Sequence, residues 1–294
     1  MDVDGTLVND NGIIPRSAEI AIKEARNNGH YIFLCTGRSK AELFDHIMEI
    51  GFDGVIAAAG GYIEFENKVV IHKKVKDEDV KHLVTYFDEN NIDFYLESNG
   101  GLFASKNCKN HLKEIIFGNP NLEPKVKEEL EKGMNPFIEC LIEGEDLIRE
   151  DINKISFLGS SIPIETIRKE FSSSFNVISS TVPIFGENSG ELSLPGIHKA
   201  LAIEILLKYL NLSKEDTFAY GDGMNDAEMI EFVKVGVAMG NAKEELKKIA
   251  DDVTDNHDEN GIYNSFKKHK LIWYRNKEIY NKKINMWWRF LYVS

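Results

Sequence analysis

Continuous apolar runs of three to five residues recur towards both ends of the chain, separated by stretches with helical periodicity. Tyr31 to Cys35, Val55 to Ala58, Phe218 to Tyr220 and Val235 to Met239 are such runs. Strands covered by helices on both faces read this way, without the alternation of a half-exposed sheet. Pro15 and Ser17 supply start signals, and Ile20, Ala21 and Ala25 with Gly29 beyond them outline a helix and its stop. Leu43, Ile47 and Ile50 before Gly51 outline a second helix, and Leu201, Ile205, Leu206 and Leu210 after Lys199 a third. A further helix passes through Leu246 and Ile249, and Gly60-Gly61 leads into a hairpin over Tyr62 to Ile71. Alternation of this kind predicts an α/β fold with a Rossmann-like parallel sheet.

The texture changes near Asp77. Val80, Leu83, Val84 and Phe87 mark a helix, Ile92 to Glu97 a strand, and Asn99-Gly100-Gly101 a turn into Leu102 to Ser105. Helices are expected at 108–117, 123–132 and 164–171, and strands near 137–142, 154–158 and 175–180. This mixture predicts an α+β domain at 78–185, inserted into a core formed by 1–77 and 186–270.

Charge and cysteine usage narrow the classes of function. A net charge of -13 argues against a nucleic-acid binder, which needs a basic face. It leaves room for a small phosphorylated substrate, which needs only a local positive pocket. Cys35, Cys108 and Cys140 form no CxxC pair and no metal-ligand spacing, so reduced thiols in a cytoplasmic protein are expected. No apolar run is long enough to span a bilayer, and no membrane insertion is expected.

The two ends break the pattern. A central strand ordinarily carries several apolar residues before its carboxyl end, yet only Met1 precedes Asp2. About three missing residues would forfeit several kcal/mol of burial, so an N-terminal extension is expected. Residues 271–294 hold Trp273, Trp287 and Trp288 and five basic residues against one acid. A poorly ordered or surface-docked tail is expected, with a membrane-interface or partner-binding role as the alternative.

Candidate chemistry lies at strand ends, where ligands bind in parallel α/β sheets. Asp2 and Asp4 are two apart and share a face if extended. Like charges so crowded need a cation or a chemical task, unless they merely form an Asp/Gly turn. With Asp222 they offer hard oxygen ligands suited to Mg²⁺. Thr36 and Gly37 end the second strand before a helix whose N–H groups could receive an anion. Lys199 could neutralise a phosphate oxygen, or be a solvated helix-start lysine. Asn225 and Asp226 could be ligands or turn formers. Arg38 reads as a salt-bridge residue outside the catalytic set, and His198 as an exposed histidine.

Asp2-Val3-Asp4-Gly5-Thr6, Thr36-Gly37-Arg38, Lys199, and Gly221-Asp222-Gly223-Met224-Asn225-Asp226 resemble the four ordered motifs of the haloacid dehalogenase superfamily. The insertion between the second and third motifs resembles the cap of its Cof-type (subfamily IIB) sugar-phosphate phosphatases, as does Val237 to Ala242. The resemblance covers about residues 1–268. It implies that Asp2 attacks phosphorus and that Asp4 protonates the leaving oxygen, then activates water. It further implies Mg²⁺ held by Asp2, Asp222 and the backbone carbonyl of Asp4. Asp226 would assist through water or by orienting Lys199, and Thr36, Gly37, Lys199 and Asn225 would hold the phosphoryl group. Many Cof-type sequences carry Asn-Gly where this one has Ala59-Gly60, which weakens any transfer of substrate specificity.

The expected function is a Mg²⁺-dependent phosphatase for small phosphomonoesters such as sugar phosphates. A phosphomutase, a non-catalytic phosphometabolite sensor and a protein phosphatase are the competing readings.

Overall fold

The computed structural model describes residues 1–9, 12–118, 123–180, 185–186 and 188–273. The core opens with α1 (Arg16–Asn27), whose Ala18, Ala21, Ile22 and Ala25 form a buried stripe at helical spacing. Next come β1 (Phe33–Cys35), α2 (Asp45–Met48), β2 (Gly54–Ala57), β3 (Tyr62–Phe65) and β4 (Lys68–His72). β1 and β2 pair in parallel, and β3 and β4 follow antiparallel as the expected hairpin.

The chain then leaves the core. α3 (Asp77–Glu89) leads to β5 (Asp93–Ser98), β6 (Leu102–Ala104), α4 (Cys108–Phe117), α5 (Pro124–Cys140) and β7 (Leu141–Glu143). β8 (Ile152–Leu158), α6 (Ile164–Phe171), β9 (Asn176–Ser179) and β10 (Gly190–Ser193) complete the insertion. Its sheet has the order β7-β6-β5-β8-β10-β9. Phe94 and Leu96 alternate with Tyr95 and Glu97 along β5, so one face packs on Phe87 and Phe171 and the other towards Leu112 and Ile138.

Two expectations are corrected here. β10 pairs with β8 and β9, so the inserted sheet extends beyond 185 to Ser193. The strand expected over 137–142 is mostly helix, because Met134, Phe137 and Ile138, at helical spacing, join an apolar cluster with Tyr95 and Leu102.

Back in the core, α7 (Lys199–Leu210), β11 (Phe218–Gly221), α8 (Ala227–Phe232), β12 (Val235–Ala238), α9 (Glu244–Ile249), β13 (Asp252–Val253) and α10 (Gly261–Lys268) follow in order. β11, β12 and β13 pair in parallel. Residues Met1–Val3 join the two halves of the core sheet. The Met1 ammonium donates to the Phe33 carbonyl at 2.9 Å, Cys35 N donates to the Met1 carbonyl at 2.8 Å, and Asp2 N donates to the Tyr220 carbonyl at 2.9 Å. Among the described residues no helix is long and apolar enough to cross a membrane. The tail expected over 271–294 lies outside the described residues beyond Trp273.

Candidate active site

The carboxyl ends of the opening segment and of β11, with the first residue of α7, place polar side chains from three segments in one spot. Lys199 Nζ donates to Asp2 Oδ1 at 2.7 Å and to Asp226 Oδ1 at 2.5 Å. All three side chains are buried, at 3% exposure for Lys199, 7% for Asp2 and 0% for Asp226. Asp226 Oδ2 also accepts from the backbone N–H groups of Asp222 and Gly223, which locks the turn after β11. Asp226 thus shares the Lys199 ammonium with Asp2.

Asp222 completes the cluster: one carboxylate oxygen each from Asp2, Asp222 and Asp226 lie within 4.8 Å of one another. Thr6 Oγ1 donates to Asp222 Oδ1 at 2.9 Å. Gly5 is required for two reasons. Its φ is +70°, and a Cβ there would stand 2.4 Å from Asp222 Oδ2. Asn241 Nδ2 clamps the same turn by donating to the Gly5 carbonyl at 2.7 Å.

Electrostatics follow from burial and crowding. Burial pushes the Asp2 carboxyl up, to about 7, against the pull of Lys199 and with Asp226 adding to the rise. Asp222 is pushed up to about 6, chiefly by burial, with the Thr6 hydrogen bond opposing. Burial works to lower the Lys199 ammonium, but Asp2 and Asp226 outweigh it and hold it above its ordinary value. A site that gathers three carboxylates around one lysine is short of positive charge, which is what a bound cation provides.

Asp4 sits apart from this cluster. Its carboxylate, 59% exposed, takes two hydrogen bonds from Arg38: Nε to Oδ2 at 2.9 Å and Nη2 to Oδ1 at 2.5 Å. Arg38 Nη1 also donates to the Glu42 carbonyl at 3.0 Å. Thr36 is buried at the end of β1, and its Oγ1 accepts from the Arg38 N–H at 3.2 Å. Gly37 lies in the same turn, while Asn225 is exposed on the turn after Asp222. Among the described residues neither shares a hydrogen bond with the Asp2–Lys199 pair. His198 is partly exposed and faces Glu228 at 2.9 Å.

Sequence reasoning undervalued Thr6, Arg38 and Asn241. Thr6 and Arg38 stand inside the quoted motifs, and that proximity was the available signal; Asn241 lies in the stretch after β12.

A family model for haloacid dehalogenase-like hydrolases matches residues 1–266. The chain belongs to this family, in its Cof-type branch, and is a phosphatase acting on phosphoric monoesters. It is 26% identical over 282 residues to phosphatase YwpJ of Bacillus subtilis, covering 91% of this chain and 97% of that one. It is 28% identical over 268 residues to 5-amino-6-(5-phospho-D-ribitylamino)uracil phosphatase YcsE of the same organism, covering 89% and 91%. Among solved structures, a hypothetical protein of Geobacillus kaustophilus aligns with a TM-score of 0.75 at 26% identity, covering 92% of this chain and 97% of its own.

Proposed function

We propose that the protein is a Mg²⁺-dependent phosphatase for small phosphomonoesters such as sugar phosphates, working through a phosphorylated Asp2. The observation that carries this reading is the Lys199 ammonium held between Asp2 and Asp226 beside Asp222. The donor set fits Mg²⁺: hard oxygens alone, with one carboxylate oriented by Thr6 and the Gly5 turn closing against Asp222. Asp2, Asp222 and the Asp4 carbonyl would hold the ion, with Asp226 behind them; when bound it neutralises charge on the phosphoryl oxygens.

Asp2 Oδ2, left free by the Lys199 contact to Oδ1, attacks phosphorus in line. Lys199, Thr36, Gly37 and Asn225 receive the phosphoryl oxygens. Asp4 donates a proton to the departing oxygen and then takes one from the water that cleaves the aspartyl-phosphate. That role requires Asp4 to leave Arg38, and its exposure permits this. The inserted domain, at 78–185 and on through β10, serves as the cap over the leaving group. The YcsE likeness makes phosphorylated polyol-type metabolites worth including among the substrates tested.

Phosphate release from a panel of sugar, polyol and nucleotide phosphates, with Mg²⁺ or chelator and with Asp2→Asn alongside, tests the reading. Turnover requiring both the ion and Asp2 is expected. Isomerised substrate without free phosphate would show a mutase instead, and tight binding without turnover a sensor.

A further inference from the structure

Lys40–Glu42 form one turn of 3₁₀ helix between the Thr36-Gly37-Arg38 stretch and the inserted domain. Glu42 Oε2 accepts from the Ser39 N–H at 2.7 Å and from Ser39 Oγ at 2.9 Å. This is a capping box, in which the acid at the third helical position satisfies the amide that opens the turn. Lys40 Nζ donates to Glu64 Oε2 on β3 at 2.5 Å, and the Arg38 carbonyl accepts from the Ala58 N–H at 2.7 Å. The turn is thereby fastened to the core at both ends.

What the turn fixes is Arg38. The Glu42 carbonyl receives Nη1, while Nε and Nη2, on another edge of the same planar group, hold the two Asp4 oxygens. A guanidinium is rigid, so anchoring Nη1 sets where the Nε–Nη2 edge points. Among the described residues no other side chain hydrogen-bonds the Asp4 carboxylate. On its other side the turn meets the inserted domain. Ala41 packs against the apolar cluster that holds Tyr95, Leu102 and Ile138. The Glu42 carboxylate interacts electrostatically with Lys154, Glu97 and Tyr95 of that domain.

We propose that Glu42 is a positioning residue for proton transfer by Asp4, acting through Arg38, and that the inserted domain steadies its turn by packing on Ala41. The proposal rests on the reading of Asp4 as acid and base. Held on Arg38, this exposed carboxylate starts each transfer from one place. Unheld, it samples solvent, and a misplaced proton donor is a slow one. Contact between the two domains is in this way tied to the aim of a side chain that belongs to the core.

The test is a double-mutant cycle in the full chain, read as kcat/KM, which reports departure of the leaving group and not the later cleavage of the aspartyl-phosphate. The substrates are the sugar phosphate of the panel with the highest kcat and p-nitrophenyl phosphate. A sugar alkoxide needs a proton as it leaves, whereas p-nitrophenolate departs without one. Glu42→Ala is expected to lower kcat/KM by about tenfold or more for the sugar phosphate and by under about twofold for the aryl ester. Arg38→Met, which leaves the turn intact, and Ala41→Asp, which sets a charge against the apolar cluster, should show the same split. All three losses should vanish in an Asp4→Asn background. Glu42→Gln keeps an acceptor for the Ser39 N–H and should restore the rate to within about threefold. Equal losses on the two esters, losses that persist beside Asp4→Asn, or no loss in Glu42→Ala or Ala41→Asp would overturn the proposal. Asp4→Asn with an unchanged kcat/KM for the sugar phosphate would instead remove the acid–base reading, and the proposal with it.

Discussion

Among the described residues a lysine is buried between two carboxylates in the core and again in the inserted domain. In the core the trio is Asp2, Lys199 and Asp226; in the insertion it is Glu97, Lys154 and Glu191. Lys154 Nζ donates to Glu191 Oε2 at 2.9 Å and lies 3.3 Å from Glu97 Oε2, and Ser156 donates to Glu97 Oε1 at 2.7 Å. Glu97 Oε2 is nonetheless buried without a hydrogen bond. Burial pushes its carboxyl up, to about 8, with Lys154 opposing. The difference between the trios is their position. The core trio sits where strands end, beside Asp222 and a glycine turn, whereas the other lies mid-strand on a sheet face. A buried acid–lysine–acid arrangement is therefore not itself a mark of catalysis; what sets the core trio apart is its place at open strand ends beside a further carboxylate.

Substitution at the acids separates the trios most sharply. Asp2→Asn is expected to lower kcat by about a thousandfold or more, since the proposed nucleophile is removed. Glu97→Gln is expected to keep kcat within about tenfold. A comparable collapse in both would mean that the second trio touches the reacting atoms.

Removing the lysines comes next. Lys199→Met and Lys154→Met each strand buried carboxylates and should cost about 3 kcal/mol in denaturant unfolding at pH 8. The Lys154→Met cost should shrink at pH 5, where Glu97 takes a proton. The sign follows from linkage. Folded Glu97 holds its proton up to pH about 8, whereas the unfolded chain releases it near 4.5. The folded state thus binds more protons across that window, and stability falls as pH rises through it. Glu97→Gln should flatten this fall, and an unchanged slope would refute the assignment.

Thr6→Val, which frees Asp222 Oδ1, is expected to weaken Mg²⁺ activation about tenfold with little change in melting temperature. The smallest effect is expected at His198→Gln, under twofold in kcat, because this side chain pairs only with Glu228 and caps α7.

The sequence made most of the architecture readable where periodicity was strong. α4 and α6 fall on the expected 108–117 and 164–171, and the hairpin after Gly61 is present. β10 escaped because Gly190–Ser193 is four residues long, with only Leu192 strongly apolar. α5 overran its expected end because packing around Ile138 outweighed the helix-breaking tendency of Pro136. At the site, Asp2, Lys199, Asp222 and Asp226 were legible from motif order. The part of Asn241 was not, because its partner Gly5 is 236 residues away and nothing local marks the pairing. Arg38 was read correctly as a salt-bridge residue, but its partner Asp4 makes it a restraint on the proposed acid and base.

The 197 residues between Asp2 and Lys199 also carry a consequence for how the protein matures. Asp2 precedes the inserted domain in the chain, and the lysine that holds it arrives only after the whole inserted domain has been made. That domain closes its sheet from one continuous stretch and can form early, while the core must wait for α7 and β11 to reach the opening segment. Closing so long a loop is slow. Refolding of the inserted domain should therefore precede the appearance of catalysis, and a chain arrested before Lys199 would possess a folded insertion with Asp2 unheld.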